Sequence, residues 1–124
     1  MFTIDLMSRT PIYEQIYMKI IELIIRGELN ENDQIPSVRN LAKETGVNPN
    51  TVSKAYQELE RNGVIHSLPG RGSFISKPNE QILKEFIFND FDNVVKEAIV
   101  NGVDSQQLKE RIDIIERKQR GEKK

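Results

Sequence analysis

The stretch "GVNPNTVSKAY", Gly46 to Tyr56, gathers Asn50, Thr51, Ser53 and Lys54 into about a turn and a half of helix. A carboxamide, two hydroxyls and one ammonium make no catalytic set, because they supply neither paired carboxylates nor a base beside a nucleophile. They are short hydrogen-bonding groups next to a cation, the types that reach base edges and phosphate oxygens. Free N–H groups at the helix start, with the positive end of its dipole, add to the attraction for an anion. Bulk or strong charge at that end would hinder close approach. Further on, "PGRG" sets Arg71 between Gly70 and Gly72, a guanidinium on a turn that suits a minor groove or a phosphate.

Other chemistries find little support. The chain has no cysteine and a single histidine, His66, with no carboxylate cluster nearby, so His66 reads as a strand residue and no metal is expected. "GRG" is followed by no lysine–serine or lysine–threonine pair and leads into a strand, which excludes a phosphate loop. No cofactor fingerprint occurs, and an enzyme is not expected. The N-terminus lacks a basic segment followed by an apolar one, and "YMKIIELII" is broken by Lys19 and Glu22. Neither secretion nor membrane spanning is expected, and the default location is cytoplasmic.

The formal charge of −1 over 124 residues conceals an uneven distribution. Up to Val38, Arg9, Lys19 and Arg26 face six acidic residues. From Arg39 to Lys77 the balance reverses, with Arg39, Lys43, Lys54, Arg61, Arg71 and Lys77 against Glu44, Glu58 and Glu60.

These groups need a scaffold. Thr10 and Pro11 suit the start of a first helix in which Ile16, Ile20, Leu23 and Ile24 recur at helical spacing until Gly27. "GELNENDQIP" reads as a polar connector. Ser37 caps a short second helix that buries Val38, Leu41 and Ala42 and ends at Gly46. Asn48 caps the third, with Pro49 in first place and Val52, Ala55, Tyr56 and Leu59 on the buried side. Two short helices joined by a tight turn form a helix-turn-helix, whose second helix enters the major groove by its N-terminal turns. After Gly63, "VIHSLPGRGSFIS" predicts two antiparallel strands around the "PGRG" turn.

"PIYEQIYMKIIELIIRGEL", "IPSVRNLAKETGVNPNTVSKAYQELERNGVI" and "PGRGSFIS", in this order, resemble the winged helix-turn-helix domain of the GntR family of bacterial transcription regulators, from about Thr10 to Ser76. The resemblance implies that Arg39 contacts DNA from the second helix. It also implies that Asn50, Thr51 and Ser53 face DNA from the recognition helix, with Gly70, Arg71 and Gly72 at the wing tip. The cap residues Ser37 and Asn48 and the outward Lys54 complete the expected DNA-binding set. Some relatives carry arginines where this chain has Pro49 and Ser53, so its base preference is expected to differ and its affinity to lean on Arg39, Lys54 and Arg71.

Beyond the wing, Leu83, Ile87, Phe91, Val94, Val95 and Ala98 recur at helical spacing, with Phe86 widening the surface. Asp104 and Gln107 then form a capping-box pattern ahead of Leu108, Ile112 and Ile115. Two amphipathic helices cannot close a core alone, so their apolar surface must find the first helix, a second copy of the chain, or both. Such a short tail is similar to that of the YtrA-like subfamily, which implies dimerisation through Leu83, Phe86, Ile87, Phe91, Val94, Val95, Leu108, Ile112 and Ile115.

The expectation is thus a mainly α protein. Residues 1–77 form a winged helix-turn-helix of three helices and a two-stranded wing, and residues 78–124 a two-helix dimerisation region with a solvated end. Its expected work is repression as a homodimer on an inverted-repeat operator in double-stranded DNA, without a cofactor or a membrane, any small-molecule effector being unspecified. The alternative is a winged-helix module that binds protein and not DNA.

Overall fold

The computed structural model describes residues 3–122. Among these, five α-helices and three short strands run in the order α1 (Ile12–Ile25), β1 (Gln34–Ile35), α2 (Val38–Thr45), α3 (Pro49–Arg61), β2 (Ile65–Leu68), β3 (Gly72–Ile75), α4 (Glu80–Val100) and α5 (Ser105–Arg117). A wider turn at Lys118–Glu122 follows α5, and the last two residues of the expected solvated end lie outside the described residues. The chain divides into two compact units, the first running through Phe86 and the second starting at Ile87.

The apolar spacing of α1 buries Ile16, Ile20, Ile21 and Leu23. Its start differs from expectation: Pro11 is the cap residue, in extended conformation with ψ 148°, and no side chain caps the helix. Thr10 lies one place ahead of the cap position, and its carbonyl accepts from a side chain of the first turn. Gln15 donates its amide to the carbonyls of Thr10 (2.9 Å) and Asp5 (3.0 Å), while its Oε1 accepts from the Asp5 N–H (2.9 Å). One glutamine side chain thereby fastens the segment ahead of the helix.

The helix-turn-helix forms as its cap residues predict. Ser37 Oγ accepts from the Asn40 N–H at 3.0 Å and Asn48 Oδ1 from the Asn50 N–H at 2.7 Å, each satisfying a donor that the helix itself cannot. Between them Gly46 ends α2 at φ +76°, a left-handed conformation that glycine takes without a Cβ penalty, and its N–H donates to the Ala42 carbonyl.

The sheet corrects the two-stranded wing. Its order is β1-β3-β2, antiparallel throughout, with Gln34 opposite Phe74 and His66 opposite Phe74 from the other side. Two residues are too few to show an alternating pattern, so β1 could not be read from "DQIP". Its partner defines it: the Asn32 N–H donates to the Ile75 carbonyl and the Ile75 N–H to the Asp33 carbonyl.

The core of the first unit joins Ile16, Ile20 and Ile21 of α1 to Leu41 of α2, to Val52, Ala55 and Leu59 of α3, and to Ile65 and Ile75 of the sheet. Burying each large side chain contributes about 1.5–3 kcal/mol. No polar or charged residue is buried among the described residues. Ile82, Leu83 and Phe86, on the first turns of α4, pack half-buried against this same core, which is why the first unit reaches Phe86 where the sequence suggested an end after Lys77.

In the second unit α4 runs on to Val100, and α5 starts from the expected capping box, with the Gln107 N–H donating to Asp104 Oδ1 at 3.0 Å and the Asp104 N–H to Gln107 Oε1 at 3.1 Å. Neither helix fully buries a residue. Phe88 is 59% exposed, Phe91 45% and Ile115 54%. No helix of the described residues is long and apolar enough to cross a membrane.

Candidate nucleic-acid interface

The residues singled out by sequence come from three elements of the first unit. Arg39 is the second residue of α2 and is exposed. Asn50, Thr51, Ser53 and Lys54 occupy the first turns of α3, Asn50 and Lys54 exposed and Thr51 and Ser53 half-buried. Arg71 stands exposed on the β2–β3 turn. There Pro69 and Gly70 hold the two central places, Gly70 has φ +76°, and the Arg71 N–H donates to the Leu68 carbonyl at 2.9 Å, the pattern of a type II turn.

Helix α3 is held by its buried side. Val52, Ala55 and Leu59 are fully enclosed, and the Tyr56 hydroxyl donates to the Pro36 carbonyl at 2.7 Å, tying α3 to the chain just ahead of α2. Burial pushes the Tyr56 phenol well above its usual value of 10, and the neighbouring Glu44 carboxylate adds to the shift. The phenol therefore stays protonated and keeps its donor.

Ser37 and Asn48 have a structural task that the DNA-binding expectation did not include, since each oxygen is engaged as a helix cap. Lys54 is also engaged, its ammonium lying 4.0 Å from the centre of the Tyr13 ring on α1. A cation–π contact at an exposed site contributes about 0.5–1 kcal/mol, enough to favour one position of an otherwise free side chain. Helix periodicity alone does not signal this role, because it marks Tyr13 only as part of an apolar face. Lys43 was signalled: it lies four places after Arg39, and such residues share a helix face. Arg39, Lys43, Asn48 and Pro49 line an open depression of about 510 Å³ over Ala42, Gly46 and Val47.

Ion pairing separates the cations into two groups. Lys19 pairs with Glu22 (3.5 Å), Arg26 with Glu22 (3.0 Å), and Arg61 with Glu58, so these charges are largely cancelled locally. Arg39, Lys43, Lys54 and Arg71 have no carboxylate partner among the described residues. Cations left unpaired on exposed positions keep their full attraction for an external anion. His66 sits in β2 with its Nδ1 2.9 Å from Ser76 Oγ and its ring stacked near Phe74, the place of a strand residue. No group of three His, Cys, Asp or Glu among the described residues is placed to hold a metal.

The model of the family described as bacterial regulatory proteins, gntR family, matches residues 12–75, the span from α1 to β3 that carries every element above. The chain belongs to the GntR family. Within that family it is 43% identical over 128 residues to the HTH-type transcriptional repressor YtrA of Bacillus subtilis (strain 168), covering all of this chain and 98% of that protein. This GntR-family fold also matches a crystal structure described as a transcriptional antiterminator from Listeria monocytogenes EGD-e, with a TM-score of 0.72 and 40% identity over 94% of this chain and 90% of that one. The DNA-binding domain of AraR, solved in complex with operator ORE1, matches 61% of this chain and 95% of its own, with a TM-score of 0.53 and 29% identity. The similarity to YtrA runs through the tail as well as the winged domain, which sets this GntR-family regulator among the YtrA-like members.

Proposed function

We propose that this regulator binds operator DNA as a homodimer and represses transcription by occupying a promoter. The observation that carries the reading is the front of α3, where Asn50, Thr51 and Ser53 share a helix with Lys54, while Arg39 and Lys43 of α2 and Arg71 of the β2–β3 turn, like Lys54, have no carboxylate partner among the described residues. The helix start enters the major groove, with Asn50, Thr51 and Ser53 at base edges and Arg39 reading a base from α2. Lys54 and Arg71 hold phosphate, Arg71 from a wing tip whose flanking Gly70 and Gly72 let the backbone come close. The operator complexes of AraR and the similarity to the repressor YtrA support the partner and the direction of control.

The dimer follows from the second unit. Ile87, Phe91, Val94, Val95, Leu108, Ile112 and Ile115 have no core to enter, and a second copy supplies the matching surface. Leu83 and Phe86 border this seam while packing on their own core. Two-fold pairing presents two recognition helices to an inverted repeat with half-sites about 34 Å apart. The DNA partner sets its work in the cytoplasm.

The test is to recover genomic fragments bound by the full chain and titrate the best of them against salt. A DNA reader enriches an inverted repeat and loses affinity steeply as salt rises, whereas a module that binds protein enriches none. Absence of any enriched sequence overturns the proposal.

A further inference from the structure

We infer that Gln34 is a positioning residue of the DNA interface, its carboxamide fixing the Arg71 peptide so that the guanidinium is aimed before DNA arrives. The inference rests on the reading of Arg71 as a phosphate contact.

Gln34 pairs through its backbone with Phe74, three residues beyond Arg71, and its side chain reaches back toward the tip. There Nε2 donates to the Arg71 carbonyl at 2.9 Å, across 37 positions of sequence. The Arg71 backbone is thereby held on both sides, since its N–H already donates to the Leu68 carbonyl at 2.9 Å. Only its side chain remains free. Gly72 makes the room for this bond: a Cβ built there would lie 2.6 Å from Gln34 Nε2, and its φ of +119° disfavours any other residue.

The bond serves the tip more than the fold. Gln34 is exposed and adds nothing to the core, and β1 is only two residues long. Arg71, by contrast, sits between two glycines, the arrangement with the most backbone freedom to lose on binding. Fixing it beforehand removes that entropy cost from the encounter with DNA. Glutamine has the needed reach and an N–H to give, and a methionine of equal length has the reach alone.

The experiment uses the full chain and a duplex that the parent protein selects from a random-sequence pool, with affinities read by anisotropy across a salt series. Gln34→Met is expected to bind roughly threefold to tenfold more weakly, the range that one lost hydrogen bond covers. Its affinity should depend less steeply on salt, as for a lost phosphate contact. Adding Gln34→Met to Arg71→Ala should cause no further loss, because the glutamine acts only through Arg71. Thermal unfolding of each variant checks that the fold is intact. Parent-like binding by Gln34→Met beside a weakened Arg71→Ala overturns the inference, and so do losses that simply add in the double variant. Parent-like binding by Arg71→Ala would instead remove the phosphate role of Arg71 itself, a distinct failure.

Discussion

Tyr56 connects α3 to the chain ahead of α2 by one hydrogen bond, phenol to Pro36 carbonyl, and its burial makes the stability of the fold sensitive to alkali. In the unfolded chain the phenol ionises near 10, whereas in the folded chain it holds its proton well beyond. Below pH 10 both states are neutral and the stabilisation is complete; above it the unfolded state alone gives up a proton, so stability falls by roughly 1 kcal/mol per pH unit. Tyr56→Phe is expected to cost about 1 kcal/mol at neutral pH and to flatten this alkaline decline, as denaturant titrations at pH 8 and pH 11 would read. An equally steep decline in the variant would assign it to other groups. Arg39 is the residue whose loss should change preference as well as strength. Arg39→Ala is expected to weaken binding to the selected operator by about 1–3 kcal/mol and to narrow the gap between operator and unrelated duplex. Unaltered discrimination in competition titrations would make Arg39 a phosphate contact only.

At the scale of elements, the turn between α2 and α3 sets how the two helices meet, and Gly46 is its narrowest requirement. No atom lies within 4 Å of where a Cβ would stand, so the penalty for a side chain is purely torsional. Gly46→Ala should destabilise the protein by roughly 1–2 kcal/mol, with Gly46→Asn losing less, measured by urea unfolding. A neutral Gly46→Ala would contradict the left-handed conformation. This turn was legible in the sequence because Ser37, Gly46 and Asn48 act through their own local chemistry, as Asp104 and Gln107 do at α5. Elements that depend on distant partners were not. The strand β1 exists because β3 lies beside it, Gln15 fastens the segment ahead of α1 by reaching back to Asp5 and Thr10, and Lys54 is drawn to a ring on another helix. Likewise the pattern of α4 marked Leu83 and Phe86 as apolar without saying which surface they cover, since periodicity names a face and not its neighbour.

For the whole molecule, the second unit has helices that satisfy their backbones and caps yet bury nothing fully, which leaves Phe91 without a core. Phe91→Asp places a charge in the proposed seam, where desolvation without a partner opposes association. It should sediment as a monomer and bind the paired-site operator far more weakly than the parent, while a single half-site separates the two proteins less. A dimer that persists in this variant would move the seam elsewhere. The enclosed part of the first unit has no charge, and every ion pair found is at the surface. Moderate ionic strength consequently screens the exposed cations of the proposed interface far more than it weakens the uncharged core. A salt gradient over immobilised duplex is expected to release protein that is still folded and reusable, as the proposed phosphate contacts require.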